Sequence, residues 1–216
     1  MLRIEGNSKL VMVGDSITDC GRERPVGEMP WGGLGNGYVN VIAGLLGATH
    51  SEQRIRVVNV GTSGNTVRDL KARWQEDVLG LAPDWLSIMI GVNDVWRQFD
   101  CALMPERHVL IDEYAEVLEE LVASTRPRLR GLVLMAPFFI EPSREDPMRR
   151  LIDRYGAAVR GLAERHDAVF VDTQAAFDVV LEHRHSYMLA GDRVHPNIVG
   201  HTVIARAFLT AIGFAW

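Results

Sequence analysis

The chain has 216 residues, of which 47% are hydrophobic and 24% are charged, and its formal net charge is −5. This composition is that of an ordinary globular protein with a sizeable core, and it lacks the basic surface expected of proteins that bind nucleic acid or an anionic membrane. No apolar stretch has the length of a membrane span and the first residues lack a signal-peptide pattern, so we expect a cytoplasmic protein.

Short apolar segments alternate with amphipathic segments along the whole chain. The apolar segments predict strands at 10–14, 56–60, 85–91, 131–136 and 168–172. The amphipathic segments predict helices at 38–48, 66–80, 109–124, 146–166, 174–182 and 197–212. Strands that are apolar throughout are typical of a parallel sheet covered on both faces. Because no repeat or linker interrupts the pattern, we predict a single α/β domain over residues 1–216, with a five-stranded parallel sheet.

Polar clusters follow four of the predicted strands. They are GDSITD at 14–19, GTSGNT at 61–66, GVNDVWRQ at 91–98 and PFFIEP at 137–142. In an open parallel sheet the loops that leave the carboxyl ends of the strands converge on one edge, where ligands bind. A fifth polar segment, DRVHP at 192–196, precedes the last predicted helix. We therefore expect these segments to share one crevice.

A serine in the first cluster and two residues of DRVHP have the chemistry of a nucleophile and its base. A serine hydroxyl is a weak nucleophile that needs a base, and a histidine base needs an orienting acceptor. Because Asp192 and His195 are three residues apart, the carboxylate can reach Nδ1 of the imidazole, which leaves Nε2 free to face Ser16. Pro196 fits the first position of the following helix and would fix the direction in which His195 departs.

Acyl transfer also needs donors for the negative oxygen of the tetrahedral intermediate. Gly64 can bring a bare backbone N–H close to a substrate, Asn93 offers a side-chain amide, and the Ser16 N–H is a third donor. Each of these candidate residues also has a purely structural interpretation. Ser16 and Asp192 could cap helices, while Gly64 and Asn93 could serve turn geometry.

Together, GDSITD, NVGTSGNT, GVND and DRVHP resemble, in this order, the four blocks of the SGNH (GDSL-type) hydrolase superfamily, although the first block reads GDSI. The longer strings GDSITDCGRERP, RVVNVGTSGNTVRDL and DWLSIMIGVNDVWRQFD resemble the intracellular acetyl xylan esterases of bacteria. The resemblance implies a three-layer, flavodoxin-like fold and a homo-oligomer without a cofactor. It implies a serine esterase that releases acetate from acetylated xylo-oligosaccharides through an acetyl-enzyme. It assigns Ser16, Asp192 and His195 to a catalytic triad, and Ser16, Gly64 and Asn93 to an oxyanion hole.

Two classes of alternative remain open. The same blocks serve lysophospholipases, thioesterases and other sugar acetylesterases. From another class, the chain could be a metal-dependent deacetylase or a catalytically silent sugar-binding module. The pair His183 and His185 on one loop is too small a ligand set for a metal site, so we expect no metal.

Several further residues could border a sugar site or could be structural. The candidates for substrate binding are Asp15, Trp96, Arg97 and Tyr187. We favour a structural role for Asp15, and Trp96 is as compatible with stacking on a sugar ring as with core packing. Phe138 and Phe139 are expected mainly in the core, Cys20 and Cys101 are interpreted as packing residues, and Trp85 or Trp216 could serve a subunit interface. We expect the histidines other than His195 to be solvated or packed.

Overall fold

The apolar segments form one central sheet in a computed structural model, which describes residues 2–216. The strands are β1 (Lys9–Gly14), β2 (Gly27–Glu28), β3 (Arg56–Asn59), β4 (Trp85–Met89), β5 (Gly131–Met135) and β6 (Val169–Val171). Their order across the sheet is β2-β3-β1-β4-β5-β6, with every neighbouring pair parallel except β2 and β3. The five parallel strands have the flavodoxin-like order that the resemblance implies. The predicted strand count is too low by one, because the two residues of β2 are too few to produce an apolar pattern.

Helices cover both faces of this sheet. They are α1 (Ser16–Asp19), α2 (Tyr38–Thr49), α3 (Val67–Ala72), α4 (Trp74–Asp77), α5 (Val92–Asp100), α6 (Ile111–Thr125), α7 (Pro147–Arg165), α8 (Thr173–Leu181) and α9 (Ile198–Ala211). Helix α9 packs against α2 and α8 in one layer, while α3, α5, α6 and α7 form the other. The arrangement is therefore three-layered. One hydrophobic cluster of buried side chains runs through these layers.

The structure corrects two of the predicted segments. The predicted helix at 66–80 is broken at Arg73, whose guanidinium donates to the carbonyls of Gly14 and Val60 at the ends of two strands. These tertiary contacts, together with the buried Trp74, override the helical periodicity. The segment after β4, expected as a loop, is α5, which begins directly after Gly91. Asn93 therefore lies in the first turn of a helix.

The end of β1 is closely packed against its neighbours. A Cβ on Gly14 would lie 2.3 Å from the carbonyl oxygen of Met89 and 2.3 Å from Oγ1 of Thr18. Only glycine allows α1 to begin so close to its own strand and to β4. Helix α1 thereby starts at the carboxyl end of a central strand. None of the helices within residues 2–216 combines the length and apolar content needed to cross a bilayer.

Candidate active site

Ser16 is the first residue of α1, and the residue before it fixes the turn. Asp15 caps the helix, its Oδ1 accepting a hydrogen bond of 3.0 Å from the Ile17 N–H. Asp15 is only 2% exposed. Burial raises its pKa to about 7, against the opposing effects of the Ile17 N–H and the charge of His195. A side chain so enclosed is not available to a substrate, which favours the structural interpretation of Asp15.

The serine, histidine and aspartate singled out in the sequence form a connected chain of hydrogen bonds. Ser16 Oγ lies 2.9 Å from His195 Nε2, and His195 Nδ1 lies 2.6 Å from Asp192 Oδ2. The other carboxylate oxygen, Asp192 Oδ1, accepts from the backbone N–H groups of Val194 and His195 at 2.9 and 2.8 Å. Partial burial opposes ionisation of Asp192, but these hydrogen bonds outweigh it and lower its pKa.

The ionised carboxylate determines which imidazole nitrogen carries the proton. A carboxylate only accepts hydrogen bonds, so Nδ1 of neutral His195 is the protonated nitrogen and donates to Asp192. Nε2 then presents its lone pair to the Ser16 hydroxyl. This is the arrangement in which an imidazole removes a proton from an alcohol.

The loop that carries Asp192 and His195 is anchored to the segment after β5 through Arg193. Arg193 has a left-handed backbone, with φ of 63°. Its carbonyl accepts from the Ile140 N–H at 2.9 Å, and its Nη1 lies 2.6 Å from Glu141 Oε2. Its guanidinium also lies over the Phe139 ring, 4.8 Å from the centroid. Phe139 thus belongs to the core, as expected, and also supports this loop.

Pro196 does not occupy the first helical position predicted for it. Asn197 caps α9 instead, its Oδ1 accepting from the N–H groups of Val199 and Gly200 at 3.0 and 3.4 Å. Pro196 lies one residue before that cap and is buried. The helix therefore begins at Ile198, one residue after the predicted start at 197 and two residues after Pro196, because asparagine is a strong N-cap.

Of the expected oxyanion donors, Ser16 begins α1, Gly64 lies on the loop between β3 and α3, and Asn93 lies in the first turn of α5. Gly64 is exposed with φ of 81°, and a Cβ built there would find nothing within 4 Å. Asn93 is buried, and its Nδ2 donates 3.0 Å to the carbonyl of Asn65. An amide nitrogen carries two hydrogens, so this bond orients the group and leaves one hydrogen for another acceptor.

Asp94, for which the sequence pattern predicts no role, connects α5 to the start of α3 next to the Gly64 loop. Its Oδ1 accepts from the Val67 N–H at 2.9 Å, which joins the start of α5 to the start of α3. Asp94 is fully buried, and its Oδ2 has no hydrogen-bond partner among the described residues. Burial raises its pKa to about 7 in spite of the Val67 N–H. In the sequence, only its position beside Asn93 in the GVND block indicates that Asp94 lies near the site.

Of the proposed substrate-binding residues, Trp96 lies beside the ring of His195. Its ring centroid is 5.8 Å from that of His195, and the guanidinium of Arg97 lies over the same ring at 4.8 Å. Trp96 lines a depression of about 360 Å³ that also contains Phe99, Phe139 and Asp192. Tyr187 is exposed but lines a separate depression with His183 and His185. The structure thus places Trp96 in this depression and Arg97 against the Trp96 ring, whereas Tyr187 lies elsewhere.

The remaining predictions concern histidine, phenylalanine and metal ligands. His201 is not merely packed, since its Nε2 lies 3.1 Å from Cys20 Sγ and its Nδ1 accepts from the Tyr38 N–H. Phe138 is fully buried in the core. Among residues 2–216 there is no group of three or more His, Cys, Asp or Glu side chains placed to hold a metal ion.

Comparison with known proteins gives matches that span the chain. A model of the GDSL-like lipase/acylhydrolase family matches residues 12–203. An acetylxylan esterase from Geobacillus stearothermophilus is 56% identical over 215 residues, which cover 100% of this chain and 98% of that protein. The crystal structure of Axe2, an acetylxylan esterase from the same bacterium, matches with a TM-score of 0.99 and 56% identity over 100% of this chain and 98% of that chain.

Related solved structures agree with this match. Three are variants of Axe2 described as catalytic mutants, in which a serine, an aspartate or a histidine is replaced by alanine, with TM-scores of 0.99, 0.98 and 0.98. LAE5, described as an alpha/beta hydrolase enzyme from the metagenome of Lake Arreo in Spain, has a TM-score of 0.97 and 53% identity, with 99% of each chain covered. The chain therefore belongs to the GDSL-like lipase/acylhydrolase family.

Proposed function

We propose that this protein is a serine esterase that removes acetyl groups from the hydroxyls of xylo-oligosaccharides. The observation that carries the proposal is the continuous chain from Ser16 Oγ through His195 to Asp192, with separations of 2.9 and 2.6 Å. The identity of 56% to an acetylxylan esterase over the whole chain supports the acetyl ester and the xylan-derived alcohol.

In the first half of the reaction, Ser16 Oγ attacks the acetyl carbonyl carbon while its proton passes to Nε2 of His195. The tetrahedral intermediate then collapses, and the bond between the carbonyl carbon and the sugar oxygen breaks. That oxygen takes the proton from His195 and leaves as a hydroxyl, while the acetyl group stays on Oγ. Asp192 holds the imidazole in the required tautomer and stabilises the imidazolium that forms.

In the second half, water attacks the acetyl group on Ser16. His195 takes a proton from the water, a second tetrahedral intermediate forms, and acetate leaves as Oγ regains its proton. In both intermediates the negative oxygen would accept hydrogen bonds from the N–H groups of Ser16 and Gly64 and from the free amide hydrogen of Asn93. Each such donor contributes about 10²-fold to 10³-fold in rate.

The sugar would lie in the depression beside Trp96. Its aromatic side chains, the half-buried Trp96 and the exposed Phe99, suit the apolar face of a pyranose ring, and Asp100, Asp146 and Arg193 can bond hydroxyls. Because this depression also touches Asp192, a ring held there would place its ester beside the histidine. The polar lining fits a neutral carbohydrate better than a lipid chain.

The test is acetate release from acetylated xylo-oligosaccharides, with p-nitrophenyl acetate and longer p-nitrophenyl esters as comparison. We expect the acetyl esters to be preferred, and inhibition by a sulfonyl fluoride with its mass on the peptide that contains Ser16, but no inhibition by a chelator. Trp96→Ala should raise KM for the oligosaccharide more than for p-nitrophenyl acetate. Inhibition by chelator alone, or sugar binding without acetate release, would contradict the proposal.

The finer expectations about location and assembly remain part of this proposal. We propose a cytoplasmic enzyme that forms a homo-oligomer. Trp85 is buried and donates to Glu5, so it does not serve an interface, whereas Trp216 is exposed and available for one. Light scattering that gives the monomer mass at micromolar concentration would contradict the oligomer.

A further inference from the structure

A second depression lies beside the oxyanion donors and has a different character. We call it the cationic depression; it is lined by Gly64, Thr66, Arg68, Asp69, Arg97 and Arg107, and its volume is about 450 Å³. It contains Gly64 and thus adjoins the proposed oxyanion hole. Three arginines and one aspartate line it, although the whole chain has a net charge of −5. The local charge is therefore opposite in sign to that of the protein.

Most of these charges are already paired. Arg68 forms a two-pronged ion pair with Glu113, and its Nη2 also donates to the carbonyl of His108 at 2.9 Å. Arg97 pairs with Asp100 on its own helix. The Asp69 carboxylate accepts from the N–H and hydroxyl of Thr66 at 2.8 and 2.7 Å, closing the capping box of α3. These side chains have fixed positions and little charge left for a ligand.

Arg107 is the exception. It is exposed, and no carboxylate in residues 2–216 lies within ion-pair distance of it. Its one polar contact from the guanidinium is a weak one, from Nη1 to Cys101 Sγ at 3.6 Å. Arg68 holds the backbone on either side of Arg107 by donating to the carbonyls of Glu106 and His108 at 2.8 and 2.9 Å. The result is an unpaired guanidinium on a fixed piece of backbone.

We propose that the cationic depression binds a carboxylate on the sugar part of the substrate, so that the preferred substrates are acetylated oligosaccharides that carry a uronic acid. This inference rests on the proposed function. An acetyl group ends in a single methyl, so a carboxylate in this depression must belong to the alcohol. Gly64 leaves the path open, since nothing lies within 4 Å of the position a Cβ would take there.

The chemistry of the site suits this ligand. A guanidinium presents parallel N–H groups that match the two oxygens of a carboxylate, and no carboxylate in residues 2–216 occupies those of Arg107. The Thr66 hydroxyl is already used by Asp69, so recognition depends on charge more than on a network of neutral hydrogen bonds. Because Arg107 is exposed, the preference should be modest, about threefold to tenfold in kcat/KM, and should weaken in salt.

The experiment compares kcat/KM for acetylated xylo-oligosaccharides with and without a uronic acid branch, at low salt and at 0.5 M salt. For the native protein we expect a ratio of acidic to neutral substrate above one that falls towards one in salt. Arg107→Gln should reduce the ratio to about one, and Arg107→Glu should bring it below one. The matched control is Arg128→Gln. Arg128 is also exposed, but it precedes β5 and so lies at the amino ends of the strands, away from the carboxyl ends that carry the candidate site. This variant should keep the native ratio.

A further comparison tests whether the recognised carboxylate lies on the acyl part or on the alcohol part of the ester. Succinyl esters of a neutral alcohol carry it on the acyl side, and we expect them to gain nothing from Arg107. A native ratio of one or less, a ratio unchanged by Arg107→Gln, or a gain confined to succinyl esters would overturn the inference. Failure to release acetate from the neutral oligosaccharide would instead contradict the proposed function, so the two failures are distinguishable.

Discussion

A nucleophilic side chain lies beside a histidine at each of the two ends of α1. At its start, Ser16 Oγ lies 2.9 Å from His195 Nε2; at its end, Cys20 Sγ lies 3.1 Å from His201 Nε2. The two contacts are similar in length, and a thiol is intrinsically the better nucleophile. Distance alone would therefore assign catalysis to either pair.

The pairs differ in what faces the other nitrogen of each ring. Nδ1 of His195 faces the Asp192 carboxylate, which only accepts, so this nitrogen carries the proton. Nδ1 of His201 faces the backbone N–H of Tyr38 at 3.2 Å, which only donates, so the proton of neutral His201 is on Nε2. His201 therefore donates to the sulfur and cannot take its proton. The partner on the far side of the imidazole decides whether a histidine is a base.

Burial increases the contrast. His195 is exposed, whereas His201 is buried. Burial and the charge of His195 lower the pKa of His201 to about 4. Burial, together with the nearby Asp19 and Asp15, raises the pKa of the Cys20 thiol to about 11. Neither member of the second pair is ionised near neutral pH, so a thiolate is not available there.

The largest effect expected from this comparison is that of Ser16→Ala against Cys20→Ala. The serine variant should lose about 10⁶-fold in kcat for ester hydrolysis, because no other group can form the acetyl-enzyme. The cysteine variant should keep its activity within a few fold. The measurement is p-nitrophenyl acetate turnover, with circular dichroism to verify folding. Equal losses in the two variants would remove the distinction between the pairs.

Asp192→Asn tests the tautomer argument directly. An asparagine at this position can donate to Nδ1, which would place the proton of His195 on Nε2 and make it resemble His201. We expect kcat to fall by about 10⁴-fold. The matched variant is Asp178→Asn. The Asp178 carboxylate pairs with Arg149 and takes no part in the triad, so kcat of this variant should stay within a few fold of native. A loss of less than tenfold in Asp192→Asn would mean that the carboxylate does not control the tautomer.

The Ser16–His195 pair could be predicted from the sequence and the Cys20–His201 pair could not, for a physical reason. Asp192 and His195 are three residues apart, so their contact follows from local geometry, and Ser16 follows a strand whose end is predictable. The hydrogen-bond partners of His201 are Cys20 and Tyr38, and they come close to it only because α9 packs beside α2 in the folded protein. No spacing in the sequence indicates that contact.

The distinction between local patterns and tertiary contacts also explains which parts of the predicted fold are correct and which are wrong. The apolar strands and the long amphipathic helices follow from periodicity, since each buries a repeating face. The break at Arg73 and the cap at Asn197 depend on single side chains that compete with the regular pattern. Arg107 was not identified because its lack of a carboxylate partner is a property of the folded surface.

The smallest expected effect concerns stability, not catalysis, and it tests the neutrality of His201. Its pKa in the folded protein is about 4, below the ordinary value of 6.5, so between these pH values the unfolded chain binds a proton that the folded protein does not. The contribution of His201 to stability is therefore complete above pH 6.5 and is lost as the pH falls towards 4, by about 3 kcal/mol at most. In His201→Asn, the Oδ1 atom can still accept from the Tyr38 N–H, and this pH-dependent loss should disappear.

The measurement is the free energy of unfolding in urea between pH 4 and 7, taken as the difference between native protein and variant, because other groups also titrate in this range. His183→Asn is the matched control, since His183 is exposed, and it should show the native dependence on pH. Ester hydrolysis by His201→Asn should stay within a few fold of native, because this imidazole transfers no proton. If the difference between native protein and variant does not change with pH, His201 takes up its proton over the same pH range in the folded protein as in the unfolded chain, and burial does not keep this imidazole neutral.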